Sequence, residues 1–145
     1  MSREVEFRGK QLYGDNGWCF GFYSEVSALN LPYITKRGET KGHEIIPETR
    51  GQYTGLKDKN GNKIFEGDIV MLMGNKRPAE VVYGPTAFCL LWRGVIFSER
   101  RIVKDVYSPL AYPLQPYSIS DMSGMYEVIG NVFDSPELLE GKNEA

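Results

Sequence analysis

Gln52-Tyr53-Thr54-Gly55-Leu56-Lys57-Asp58-Lys59-Asn60-Gly61-Asn62-Lys63-Ile64-Phe65-Glu66-Gly67-Asp68-Ile69-Val70 is the stretch whose reading decides the fold class. Gln52-Tyr53-Thr54 reads as a strand. Lys57–Lys63 is a charged turn, and its Asn60-Gly61 pair is a short-range hairpin signal because both residues tolerate positive φ. Ile64-Phe65 is then expected to return antiparallel. Glu66-Gly67-Asp68 makes a second tight turn, and Ile69-Val70-Met71-Leu72-Met73 reads as a fully buried strand. Strand, turn and strand at this spacing specify antiparallel β-structure.

Working outward toward the N-terminus, Val5-Glu6-Phe7-Arg8 alternates apolar and polar side chains, as a half-buried strand does. Gly9 and Gly14-Asp15-Asn16-Gly17 supply turns. Trp18-Cys19-Phe20-Gly21-Phe22-Tyr23 is a strand candidate in which Trp18, Phe20 and Phe22 share one face, since side chains alternate at period two. Gly21 within it points to a bulge or a close backbone approach. Glu25–Asn30 fits one helical turn. Pro32–Thr49 reads as a long loop with extended pieces at Tyr33-Ile34 and Glu44-Ile45-Ile46.

Toward the C-terminus, Ala79–Tyr83 and Ala87–Trp92 flank Gly84-Pro85 as a second hairpin, and Val95-Ile96-Phe97 continues the sheet. Ser98–Val106 suits a short helix or an edge strand. Tyr107–Ser120, with Pro109, Pro113 and Pro116, argues for a surface loop. Tyr126–Phe133 is the last strand. Asp134–Glu140 follows as a short helix, with Ser135 or Asp134 at the cap position and Pro136 in the first turn. The fold class expected is mostly β: a small barrel- or sandwich-like antiparallel sheet with long loops and a short C-terminal helix. The 145-residue length fits one domain, residues 1–140, with a polar tail at 141–145. A domain of this size buries roughly 70% of its unfolded surface and needs no disulfide or metal to fold.

Composition excludes more than it assigns. The formal net charge of −2 offers no global field for nucleic acid. Cys19 and Cys89 each sit in an apolar aromatic run, which favours reduced thiols acting as small hydrophobes over a disulfide. No apolar run approaches the roughly 20 residues that cross a bilayer, and the N-terminus lacks a signal-like apolar core, so a cytoplasmic location is expected.

The single histidine, His43, would have to serve any Ser–His–Asp triad or Cys–His dyad. Its surroundings, Lys41-Gly42-His43-Glu44, favour an exposed loop. Gly51–Gly55 lacks the Lys-Ser/Thr ending of a phosphate loop. Asp58, Glu66 and Asp68 are the remaining catalytic or metal-holding set, because paired carboxylates do acid–base work or bind hard cations. Turn chemistry competes for Asp58 and Asp68, whose side chains can bond backbone amides two residues on. Lys76, Arg77, Arg100, Arg101 and Lys104, with Tyr83, Trp92 and Tyr107, offer a groove for stacking bases; basic residues protecting strand edges explain the same pattern. No catalytic, cofactor-binding or metal residue is assigned, and no cofactor is expected.

The Gln52–Gly61 block, continued by Ile64–Val70, resembles the signature of the YopX-like family of phage and prophage proteins. Glu6-Phe7-Arg8 is similar to that family's opening strand. Glu127-Val128-Ile129-Gly130-Asn131, followed by Ser135-Pro136-Glu137-Leu138-Leu139, is similar to its ending. The resemblance implies a mostly β fold, a viral or prophage origin and a place in the bacterial host's cytoplasm, and it implies no activity. The motif consists of turn and core residues, which speak of folding more than of chemistry. The expected function is that of a non-enzymatic protein-interaction module. Its partner would be a host or phage protein or a second copy, bound through loop tyrosines such as Tyr107, Tyr112 and Tyr117. A nucleic-acid-binding small β-barrel module is the alternative, and a carboxylate-based, metal-dependent hydrolase comes after it.

Overall fold

Short runs of β-branched and aromatic residues, punctuated by glycine turns, build a chain of strands with no α-helix among the described residues. The computed structural model describes residues 5–26, 28–29, 31–72, 77–83, 88–97, 102–109 and 126–139, with the strand path alone at 93–97 and 102–109. The strands are β1 (Phe7–Lys10), β2 (Trp18–Val26), β3 (Leu31–Thr35), β4 (Gly42–Glu44), β5 (Gly51–Lys57), β6 (Lys63–Phe65), β7 (Asp68–Leu72), β8 (Ala79–Tyr83), β9 (Phe88–Phe97), β10 (Ile102–Pro109) and β11 (Tyr126–Asn131). They form two antiparallel sheets, a six-stranded one ordered β4-β3-β2-β1-β5-β6 and a five-stranded one ordered β10-β9-β8-β7-β11. Among the described residues neither closes into a barrel. The chain divides into two compact units, Met1–Gly55 and Leu56–Ala145, and passes from one to the other within β5.

In the first unit, β1 and β2 pair with Phe7 opposite Gly21 and Lys10 opposite Trp18. One face of this pair buries Cys19, which packs with Ile34 of β3 and with Ile45, while Phe7 and Tyr23 flank them. Two glycines permit the close packing. A Cβ on Gly9 would collide with the Ile45 side chain, and one on Gly21 would collide with the Thr35 carbonyl. The close backbone approach expected at Gly21 is therefore present.

In the second unit, Ile64, Val70, Ala79, Val81, Leu90, Trp92 and Tyr126 form the core. The turn joining β5 to β6 is closed by the Gly61 N–H donating to the Asp58 carbonyl at 3.0 Å and by the Asp58 N–H donating to the Asn62 carbonyl at 2.8 Å. Of Asn60 and Gly61 only Gly61 has positive φ, at 84°. The turn thus ends on a single left-handed glycine instead of using two left-handed residues.

Several local expectations are corrected. Glu25 and Val26 continue β2, because Glu25 pairs with Pro32 and Val26 with Leu31, and those ladder bonds displace the expected helical turn. Within the segment read as a loop, the extended pieces expected at Tyr33-Ile34 and at Glu44 are present and lengthen into β3 and β4, with Ile34 and Ile45 fully buried. Tyr107–Pro109 belongs to β10, paired with Leu91–Cys89, so the surface loop does not begin there. The short C-terminal helix is a single 3-10 turn at Pro136–Leu138, with no side-chain cap from Ser135. Three residues are too few to repay helix nucleation. The Gly84-Pro85 turn, the segment 110–116 and the tail 141–145 lie outside the described residues.

Candidate functional site: the open face of β2

Alternation along β2 puts Cys19, Gly21 and Tyr23 toward the core and Trp18, Phe20, Phe22 and Val26 on the opposite side. The aromatic row expected from the sequence is thus on one face, and it is open. Phe20 is 42% exposed, Phe22 56% and Val26 45%. Isolated apolar residues on a surface are ordinary, but here they succeed one another on one strand.

Two cations crown one end of the row. Cross-strand register sets Arg8 opposite Phe20 and Lys10 opposite Trp18. The Arg8 guanidinium carbon lies 4.6 Å from the Trp18 ring centroid and the Lys10 ammonium 5.5 Å from it. Each such contact contributes roughly 0.5–2 kcal/mol, the upper end where the cation is desolvated, as Arg8 is. Lys10 is further fixed through its backbone, whose N–H donates to the Thr49 hydroxyl at 2.8 Å. This end of the face is a preorganised aromatic–cation cluster. The row itself was legible as a period-two pattern, but its coupling to Arg8 and Lys10 was not, because it depends on the register of β1 against β2.

On the core side of the same hairpin, Tyr23 donates its hydroxyl to Glu25 at 2.6 Å and accepts from Arg50 at 2.6 Å. The Arg50 guanidinium also sits 5.0 Å from the Tyr23 ring centroid. This exposed network pins Arg50 to the end of β2.

Of the three carboxylates weighed for catalysis, Asp58 and Asp68 hold backbone groups at turns. Asp58 is 4% exposed. Its Oδ1 accepts the N–H groups of Asn60 and Asn62, at 2.9 and 2.8 Å, while Oδ2 accepts the Val128 N–H at 2.9 Å and the Asn62 amide at 3.4 Å. Burial alone would raise its pKa, but these hydrogen bonds together hold it below the ordinary 3.8. Asp68 is buried as well, and its Oδ2 accepts the Phe65 N–H at 2.8 Å. Both carboxylates bond to the backbone at turns, in the manner expected of turn residues. Among the described residues no three His, Cys, Asp or Glu side chains gather as metal ligands.

His43 lies at the surface with its Nε2 2.9 Å from Glu39, and this hydrogen bond lowers the Glu39 pKa. Both cysteines are free thiols, Cys19 buried and Cys89 half-buried, and burial pushes the Cys19 thiol up.

The predicted base-stacking groove does not draw on Trp92. That ring is 8% exposed in the second unit's core, and its Nε1–H donates to the Arg77 carbonyl at 3.2 Å. Tyr83 is exposed and stacks edge-on against Phe88. Lys76, Arg100, Arg101, Tyr112 and Tyr117, and the side chains of Lys104 and Tyr107, lie outside the described residues.

Comparison with known proteins adds three findings. The family model described as YopX protein matches residues 6–140. No curated protein matches the chain. The crystal structure of protein EF1440 from Enterococcus faecalis is similar to it at 23% identity and a TM-score of 0.43, over 95% of this chain and 99% of that one.

Proposed function

Because the chain belongs to the YopX protein family, we propose that it acts as a phage or prophage accessory protein in the bacterial host's cytoplasm, a non-enzymatic module that binds another protein. The observation that carries this reading is the open aromatic row of β2. Phe20, Phe22 and Val26 present apolar surface to solvent while the opposite face of the same strand is packed. Burying one such side chain against a partner contributes roughly 1.5–3 kcal/mol before the costs of association. The strand is held in register with β1 and β3, so little ordering is needed on binding. Among the described residues no helix is long and apolar enough to cross a membrane.

The cations at Trp18 favour a second reading, in which the same face stacks bases of a single-stranded nucleic acid. One experiment separates the two. Tagged protein and its Phe20→Ser/Phe22→Ser variant are purified from a bacterial host with and without nuclease. The protein reading expects a stoichiometric partner that survives nuclease and is lost with the variant. Material removed by nuclease transfers the face to nucleic acid. A partner retained by the variant shows that the face is the wrong one.

A further inference from the structure

The sequence contains two Asn-Gly dipeptides, Asn16-Gly17 in the connection between β1 and β2 and Asn60-Gly61 in the turn between β5 and β6. In an unfolded chain the two are chemically alike. In each, the glycine amide nitrogen can attack the preceding Asn Cγ. The N–Cγ bond forms and the Cγ–Nδ2 bond breaks. Ammonia leaves carrying the amide proton, and one water opens the resulting succinimide at either carbonyl to give Asp or isoaspartate. Water enters and ammonia departs, so the step needs no oxidant, reductant or cofactor. The attacking nitrogen must first be freed from its hydrogen bond.

The fold treats the two nitrogens differently. Gly61 N–H donates to the Asp58 backbone carbonyl at 3.0 Å inside a closed turn. Asn60 itself is tied by its own N–H to the Asp58 carboxylate, which is buried and also holds Asn62 and Val128. Freeing Gly61 therefore means opening a unit that includes the β11 contact. Gly17 N–H donates instead to Oδ1 of Asp15 at 2.9 Å, a bond between residues two apart in the chain. Asp15 and Asn16 are both exposed. Water competes for that bond directly.

We propose that Asn16 is a modification site of this protein, converting spontaneously to aspartate and isoaspartate, while the identical dipeptide at Asn60 is protected by the Asp58 network. The site is placed where conversion has a consequence. Gln11 N–H donates to the Gly17 carbonyl at 3.0 Å, and the next pair is Lys10 with Trp18. Isoaspartate at position 16 inserts an extra backbone carbon just before Trp18, at the junction that sets the β1–β2 register, and either product adds a negative charge beside Asp15.

The test is peptide mapping by mass spectrometry on the native protein, aged in mildly alkaline buffer beside a urea-unfolded sample. The expected result is several-fold faster amide-to-acid conversion at Asn16 than at Asn60 in the native protein, with the two rates drawing together in urea. Asp58→Asn, shown by circular dichroism to be folded, should speed conversion at Asn60 and leave Asn16 unchanged. The proposal is overturned if native Asn60 converts as fast as Asn16, or if Asn16 is stable in the native protein while the unfolded chain converts. An unchanged Asn60 rate in folded Asp58→Asn would remove the protective role given to Asp58.

Discussion

The Asp58 carboxylate accepts the backbone N–H of Val128 at 2.9 Å across 70 positions of sequence. The adjacent Lys59 N–H donates to the Tyr126 carbonyl at 2.9 Å. The β5–β6 turn thereby occupies backbone groups of β11, the strand at one edge of the five-stranded sheet. An uncovered edge is a template for unwanted pairing, and here a turn residue covers part of it.

Asp58→Ala should be among the most destabilising single changes in the second unit. It leaves the N–H groups of Asn60, Asn62 and Val128 without their acceptor, at a cost of about 3 kcal/mol. Urea unfolding checks it: the midpoint should fall while the slope stays constant. A loss under about 0.5 kcal/mol, the ordinary size of a surface change, would show that water replaces the carboxylate without cost.

The same bonds predict an acid dependence. The folded pKa of Asp58 lies below its unfolded value of about 3.8, so the unfolded chain takes up the proton first as pH falls. The stability contributed is fully present above the unfolded pKa and is lost as pH drops from there through the folded pKa. Stability followed through this range should fall more steeply for the native sequence than for Asp58→Asn. Parallel curves would assign the acid sensitivity to other groups.

Gly21→Ala should strain the pairing of β2 with β3, because the new methyl meets the Thr35 carbonyl and a main-chain atom yields less readily than a flexible side chain. Overpacking of this kind costs about 1–3 kcal/mol, read as a lowered melting temperature. Gly14→Ala tests a different cause: nothing crowds its Cβ, and only its φ of 91° is unfavourable.

Neighbouring strands should separate binding from folding. Ile34→Ala empties a fully buried position and should cost about 2–5 kcal/mol. Phe22→Ser, on the open face, should change stability by less than about 1 kcal/mol while weakening any partner bound there. If Phe22→Ser destabilised the protein as much as Ile34→Ala, the aromatic row would be a packed surface and the proposed binding face would fall.

The parts legible in the sequence were those set by local rules. Gly61 marked the β5–β6 turn, alternation marked the two faces of β2, and Gly21 marked a close approach, because pleat geometry and φ preference act within a few residues. Glu25–Asn30 misled because its helical signal was local, whereas the decisive pairing of Glu25 with Pro32 was made across strands. Asp58 was readable as a turn residue, but its bond to Val128 was not.

The sequence by itself determined that the chain is built of antiparallel strands and where most of them turn, since periodicity and turn chemistry are carried by adjacent residues; its motif blocks also carried the family resemblance that the family model bears out. Only the tertiary structure decided that Arg8 and Lys10 crown Trp18, that Trp92 is buried while Phe20 and Phe22 are exposed, and that one Asn-Gly pair is braced by a buried carboxylate while the other rests on an exposed one. Those outcomes depend on register and on which face meets a core, and contacts between distant residues fix both.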